Sequence, residues 1–194
     1  MLEAIKYNLA HLADFSGRED RPTFWWYVLF LVILDIVLGL ILSGSMAAGG
    51  ISAAYHAAQS GASQEALQAQ MMQQMGGHLG TMMWVSSGFK LLITALSVAA
   101  FVRRLHDSNS SGWWAALAVA AQVAALAVAL SMAGQIETMM ASMASGDLTP
   151  AIEARAQMSR LGLLGWIAPI VVLVFGVMKS TPGPNRYGEA SQAS

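Results

Sequence analysis

Four apolar runs, each about 20 residues long and almost free of charge, constrain this chain more than any other feature. They cover residues 24–44, 82–102, 113–133 and 161–178. A bilayer core about 30 Å thick requires about 20 apolar residues in a helix, and soluble helices of that length carry a polar face that these runs lack. The sequence therefore predicts an all-α integral membrane protein built as a four-helix bundle.

The charge content agrees with a membrane protein and excludes several other classes. Charged residues make up 11% of the chain, against roughly 25% in soluble domains. A net charge of -1 argues against a basic domain for nucleic acid, and the absence of Cys excludes disulfide-stapled modules, thiolate catalysis and Cys-ligated metals. We expect the lipid bilayer to be the main partner and expect no nucleic-acid partner.

The distribution of Lys and Arg predicts the orientation, because cytoplasmic segments retain positive charge. Seven basic residues flank the runs on one side: Lys6, Arg18, Arg21, Arg103, Arg104, Lys179 and Arg186. The opposite side has only Arg155 and Arg160. We predict that both termini are cytoplasmic, that residues 1–188 form a single membrane domain, and that residues 189–194 form a disordered tail.

The two connections on the outer side are long and show local helical character. Leu67, Met71 and Met75 recur every four residues, which places them on one face of a helix. In the second connection, Thr149 can cap a short helix that Pro150 opens. Neither segment is apolar enough to span a bilayer, so we expect amphipathic helical outer loops at the membrane surface.

Three unusual motifs fall on the predicted cytoplasmic side. They occupy residues 17–26 (GREDRPTFWW), 103–114 (RRLHDSNSSGWW) and 182–188 (PGPNRYG). Arginine forks hold carboxylates or phosphates, Trp pairs anchor helices at the interface, and Asp107 or Ser108 can cap the third long helix. The candidate binding cluster is Arg18, Arg21, Arg103, Arg104, His106, Asp107, Asn185 and Arg186.

These motifs resemble those of a bacterial inner-membrane family known as domain of unknown function 805. The resemblance rests on Gly17, Arg18, Arg21, Phe24 and Trp25, on Arg103–Asp107 with Ser111–Trp114, and on Gly183–Gly188. It covers all four apolar runs. It implies a four-helix fold in the bacterial inner membrane and implies no established activity.

Two charges lie inside the apolar runs. Asp35 follows Phe24 by 11 positions, about 16 Å of helix, and Lys90 precedes Val102 by 12 positions, about 18 Å. A charge at a helix centre costs about 2.5 to 3.5 kcal/mol, and pairing reduces that cost. We therefore predict an intramembrane pair between Asp35 and Lys90.

No catalytic residue and no cofactor is predicted. His106 lies beside Asp107, but Ser110 and Ser111 lack the Gly-x-Ser-x-Gly elbow of a nucleophile. Two groups of methionines resemble soft-metal ligands, namely Met71, Met72 and Met75, and Met139, Met140 and Met143. Their helical spacing favours packing, so the sequence predicts no metal site and leaves metal handling as a weaker alternative.

The leading functional hypothesis is a non-enzymatic membrane module with a binding surface at its cytoplasmic face. Its ligands would be anionic lipid headgroups or a membrane-protein partner, with a homo-oligomer also possible. The alternative is a small transporter or channel subunit whose pathway is marked by Asp35, Lys90 and Gln122.

Overall fold

A computed structural model of the chain describes residues 1–60 and 63–189, and this part is helical without strands. An isolated bridge joins Asn185 and Gly188 in the C-terminal tail. The helices are α1 Leu2–Ala10, α2 Arg21–Ser60, α3 Gln64–Asp107, α4 Trp113–Ala133, α5 Ile136–Ala144, α6 Thr149–Leu161 and α7 Leu164–Val177. Most of the predicted disordered tail, residues 190–194, lies outside the described residues.

Three of the four predicted runs lie in helices that are long and apolar enough to cross a membrane. The candidate spans among the described residues are Arg21–His56, Gln74–Asp107 and Trp113–Ala133. The fourth run forms α7, which has 14 residues and is therefore about 21 Å long, shorter than a bilayer core of about 30 Å. Pro169 lies inside α7, where a membrane helix tolerates it.

The long helices leave most of their apolar side chains exposed. In the most apolar window of α2, only 6% of the residues are buried. Exposed side chains on this helix include Val32, Ile33, Ile36, Leu40 and Ile41. A contiguous apolar surface of this kind is rare on soluble monomers, and it matches helices whose solvent is lipid.

The outer connections differ in part from the sequence expectation. The first connection is largely an extension of two helices, since α2 continues to Ser60 and α3 begins at Gln64. The sequence between residues 45 and 60 is rich in Ala and contains no Pro, and these features favour continuation of the helix past the predicted boundary despite Gly49 and Gly50. In the second connection, α6 begins at Thr149 as the Pro150 signal predicts, and α5 precedes it.

The chain divides into two compact units. Unit 1 contains Met1–Asp35, Lys90–Ala125 and Leu163–Ser194, and unit 2 contains Ile36–Phe89 and Leu126–Gly162. Within unit 2, α5 and α6 contact each other. The prediction of a single domain over residues 1–188 remains a prediction.

The core of unit 1 combines large side chains with alanines that let helices approach closely. Its buried members are Phe24, Tyr27, Leu31, Ala100, Phe101, Leu105, Ala115, Ala118 and Ala168. The hydroxyl of Tyr27 donates to the carbonyl of Leu96 at 3.1 Å, which ties α2 to α3. This hydrogen bond satisfies the one polar atom of a fully buried Tyr.

Gly176 is a tight contact between α7 and α2. A Cβ atom built at this position would lie 2.8 Å from Trp25 Cζ2 and 3.1 Å from Phe24 Cε1. The indole nitrogen of Trp25 also donates to the Gly176 carbonyl at 3.0 Å. The absence of a side chain at Gly176 therefore allows the start of α2 to pack directly on the end of α7.

We expect Gly176→Ala to destabilise the protein by about 1 to 3 kcal/mol, because the added methyl group overpacks this contact. The measurement is the thermal midpoint of the detergent-solubilised protein. Gly165→Ala in the same helix is the matched control, since no atom lies within 4 Å of a Cβ built there. Equal midpoints for the two variants would contradict the assignment of Gly176 to a tight contact.

Candidate functional site

Three arginines of the predicted cluster are buried together at the C-terminal end of α3. Arg103 is 1% exposed, Arg104 is fully buried, and Arg18, from the segment before α2, is 6% exposed. Buried guanidinium groups are costly unless charge and hydrogen bonds compensate them. The surroundings of these three side chains therefore determine what the cluster can do.

Asp107 lies between two of the arginines. One carboxylate oxygen accepts hydrogen bonds from Nε and Nη2 of Arg18, at 3.1 and 3.0 Å. The other oxygen accepts from Nη1 of Arg104, which lies one helical turn earlier in α3. Asp107 is 1% exposed, so this carboxylate is shared by Arg18 and Arg104 without competition from solvent.

The third arginine, Arg103, pairs with Glu19 through a closed set of contacts. Nε of Arg103 donates to Glu19 Oε2 at 3.1 Å, and Nη2 donates to Asn8 Oδ1 at 2.6 Å. Asn8 in turn donates to Glu19 Oε1 at 2.7 Å. Burial raises the pKa of Glu19 above its usual value, while the hydrogen bond from Asn8 and the charge of Arg103 oppose that rise.

We call Arg18, Arg103, Arg104, Glu19, Asp107 and Asn8 the arginine network. Its three cations face two carboxylates, which leaves one positive charge in excess. The guanidinium groups also donate to seven backbone carbonyls, those of His11, Asp14, Gly176, Met178, Thr181, Gly183 and Gly188. Two of them, at Gly176 and Met178, lie at the carbonyl end of α7, where the helix dipole favours a cation.

The network leaves no buried side-chain nitrogen or oxygen without a hydrogen-bond partner among the described residues. Because each guanidinium nitrogen already has an acceptor, the buried arginines join the N-terminal segment, the end of α3 and the C-terminal tail rather than forming an open anion site. The structure thus brings together four of the predicted residues, Arg18, Arg103, Arg104 and Asp107, and these side chains hold the three segments in place.

The other predicted residues lie around this network. His106 and Tyr187 stack with ring centroids 3.8 Å apart and planes 8° apart, and the guanidinium of Arg186 lies 4.7 Å from the Tyr187 ring centroid. Asn185 donates to the His106 carbonyl at 2.9 Å. Arg186 is exposed and also donates to the Asn109 carbonyl at 3.2 Å. The third motif therefore packs on the second.

Arg21 differs from its neighbour Arg18 although both belong to the first motif. Arg21 is exposed at the first residue of α2. Lys179, which follows the carbonyl that binds Arg104, is exposed as well. We name Arg21, Lys179 and Arg186 the exposed rim, because these cations border the network and remain accessible.

The cap of α4 also differs from the expectation. The sequence predicts Asp107 or Ser108 as its cap, but both carboxylate oxygens of Asp107 bind arginines, and the Ser108 hydroxyl donates to the Leu105 carbonyl at 3.0 Å. The hydroxyl of Ser111 instead accepts from the Trp113 amide at 3.4 Å. Between the helices, Asn109 adopts a φ of +57°, a left-handed conformation that Asn tolerates and that helps to end α3.

Sequence reasoning missed α1 and Asn8. Residues 2–10 carry no motif, yet Asn8 is 1% exposed and holds both Glu19 and Arg103. One signal was available, since an Asn inside a short helix is unfavourable and requires a specific role. The seven carbonyl acceptors had no sequence signal, because any residue can supply them.

The two charged residues predicted to lie inside the membrane, Asp35 and Lys90, form a separate site in unit 1. Nζ of Lys90 lies 3.1 and 3.0 Å from the two carboxylate oxygens of Asp35, and the side chains are 47% and 42% exposed. They line a cavity of about 390 Å³, together with Gln122 and apolar side chains of α2, α3, α4 and α7. Within the described part of the chain, no hydrogen bond involves the Gln122 carboxamide.

We expect Asp35→Asn or Lys90→Met alone to lower the amount of folded protein in the membrane, because each strands a charge that costs about 2.5 to 3.5 kcal/mol. The exchange variant Asp35→Lys/Lys90→Asp retains the pair and serves as the matched control. Fluorescence-detected size-exclusion chromatography measures the folded fraction. Single variants that accumulate like wild type would show that the pair does not stabilise the fold.

Comparison with known proteins gives the family of the chain. The family described as "Protein of unknown function (DUF805)" matches residues 12–189. Two curated relatives, each named "Inner membrane protein YhaH", come from Escherichia coli strain K12 and E. coli O157:H7. Each is 22% identical over 182 residues, which cover 93% of this chain and 88% of the relative. No solved structure shows significant similarity. With nearly its whole length matched, the chain belongs to the DUF805 family of membrane proteins.

Proposed function

We propose that the protein is a multi-pass protein of the bacterial inner membrane, with four spans and both termini in the cytoplasm. The printed name of its E. coli relatives supports this location. The count of seven basic residues against two supports the orientation. Trp25, Trp26, Trp113 and Trp114 lie at the start of α2 and α4, as expected of an aromatic belt at the cytoplasmic interface.

At that interface the protein acts as a non-enzymatic module that binds anionic lipid headgroups. The observation that carries this proposal is the separation of the arginines into two classes. The arginine network uses its guanidinium groups internally, whereas the exposed rim of Arg21, Lys179 and Arg186 borders the network and remains accessible. The network holds the backbone beside each rim cation.

The rim suits a phosphate that lies at the depth of lipid headgroups. Arg21 precedes Trp25 by one turn, and the Trp25 indole contacts the carbonyl end of α7 next to Lys179. Arg186 is oriented by its stack on Tyr187. Each cation near an anionic membrane surface contributes about 1 kcal/mol. An acidic segment of a membrane-protein partner would meet the same charges and is the competing ligand.

We expect the triple variant Arg21→Gln/Lys179→Gln/Arg186→Gln to bind short-chain phosphatidylglycerol about 100-fold more weakly than wild type, from about 1 kcal/mol for each cation. Native mass spectrometry of lipid titrations into the detergent-solubilised protein measures the affinity. Arg155→Gln, an exposed arginine on α6, is the control and should bind like wild type. Equal affinity of the triple variant and wild type would refute headgroup binding by the rim.

A second candidate function is transport, and the cavity in unit 1 favours it. Asp35, Lys90 and Gln122, which the sequence singled out separately, all line this cavity. Ionisable and amide side chains inside a membrane domain often mark a substrate or ion pathway. Ion flux in proteoliposomes that disappears in Asp35→Asn would favour this function over headgroup binding.

A further inference from the structure

Unit 2 contains a second cavity with a different chemistry. Its volume is about 370 Å³. The side chains around it come from α2 and α3: Met46, Gly49, Gly50, Ser52, Ala53, Met71, Gln74, Met75 and His78. Four of these carry soft or borderline donor atoms, the thioethers of Met46, Met71 and Met75 and the imidazole of His78. Among the described side chains around it, none is acidic.

The donors converge because of helical spacing. Met71, Met75 and His78 follow one another at four and three residues, which places them on one face of α3. On α2, Met46 precedes Gly49 by one turn. A Cβ atom built at Gly49 would lie 3.4 Å from Cε1 and 3.7 Å from Nε2 of His78. The imidazole therefore packs directly against the backbone of α2, on the side that carries Met46.

His78 has no partner for its ring within the described residues, since no hydrogen bond there involves either nitrogen. The alternative for the methionines is packing, because unbranched Met fills irregular gaps. Packing predicts filled space, whereas these three side chains surround a cavity of about 370 Å³. Soft donors around this cavity favour a ligand over a filler, and the exposed imidazole of His78 is available to join them.

We propose that Met46, Met71, Met75 and His78 bind a soft monovalent metal ion, with Cu(I) as the natural class and Ag(I) as its redox-inert analogue. Thioethers select soft ions, and imidazole is compatible with them. The four ligands are neutral, so the set suits a single positive charge and lacks the carboxylates that hard cations require. This site lies in unit 2 and does not depend on headgroup binding at the exposed rim.

The cavity distinguishes the methionines that are candidate metal ligands from those that are not. The sequence drew attention to two groups with the same spacing, Met71, Met72 and Met75, and Met139, Met140 and Met143. The cavity adds Met46 and His78 to the first group, and it is not lined by the second group, which lies on α5. The α5 methionines therefore provide a control with equal thioether loss.

The test is Cu(I) binding to the full-length protein in detergent, measured by competition with a chromophoric Cu(I) chelator under reducing conditions. We expect one site in wild type, and a dissociation constant raised at least about 10-fold in Met46→Leu/Met71→Leu/Met75→Leu and in His78→Gln. The control Met139→Leu/Met140→Leu/Met143→Leu should bind like wild type. Met→Leu conserves volume, and thermal midpoints without metal verify that all variants fold.

Titration with Ag(I) by calorimetry gives an independent readout. We expect the variants to rank in affinity for Ag(I) as they do for Cu(I). Wild-type protein that fails to compete with the chelator would overturn the proposal. Binding that is equal in all folded variants, or that is lost only in the α5 control, would overturn it as well. None of these three outcomes would affect phosphatidylglycerol binding, so failure of this proposal is distinguishable from failure of the proposed function.

Discussion

The sharing of one buried carboxylate by two buried guanidinium groups is the interaction on which the packing around the end of α3 in unit 1 depends. Asp107 is the only acid that contacts both Arg18 and Arg104 among the described residues. Taking such groups out of water costs several kcal/mol for each ion, and removing one partner of a buried pair is strongly destabilising. The second carboxylate, Glu19, and seven carbonyls complete the compensation. The charges therefore fix the positions of the segments that they join, because displacement of any one segment would leave a guanidinium group without its hydrogen-bond partners.

This constraint determines which surface remains for function. The network uses Arg103 and Arg104, the adjacent arginines that sequence reasoning favours as phosphate ligands. It also fixes the segments that carry the exposed rim of Arg21, Lys179 and Arg186. The proposed headgroup-binding surface therefore has its cations on a rigid backbone, which lowers the entropy lost on binding. The Asp35–Lys90 pair differs from the buried arginine network, because its side chains are about half exposed and line a cavity. Unit 2 adds the neutral donor set that we propose around His78, which differs in chemistry from both sites of unit 1.

The sequence predicted much of the fold for physical reasons that are local. Apolar runs of span length identify membrane helices, and the fixed rise of a helix places Asp35 and Lys90 at one depth. Burial could not be predicted, because it depends on tertiary packing: Arg18 and Arg21 are three residues apart in one motif, yet one is buried and the other exposed. The role of Asn8 depends on a helix without a motif. The cavity at His78 depends on the pairing of α2 with α3, which no spacing within one helix reveals.

The most direct test of this account is hydrogen–deuterium exchange of Asp107→Asn compared with wild type. Loss of the shared carboxylate strands Arg18 and Arg104 and should cost about 3 to 5 kcal/mol. We therefore expect faster amide exchange both in the tail, residues 178–189, and in the N-terminal segment, residues 8–19. Glu153→Gln, which neutralises an exposed acid on α6, should exchange like wild type. Unchanged protection of both segments in Asp107→Asn would contradict the central role of the arginine network.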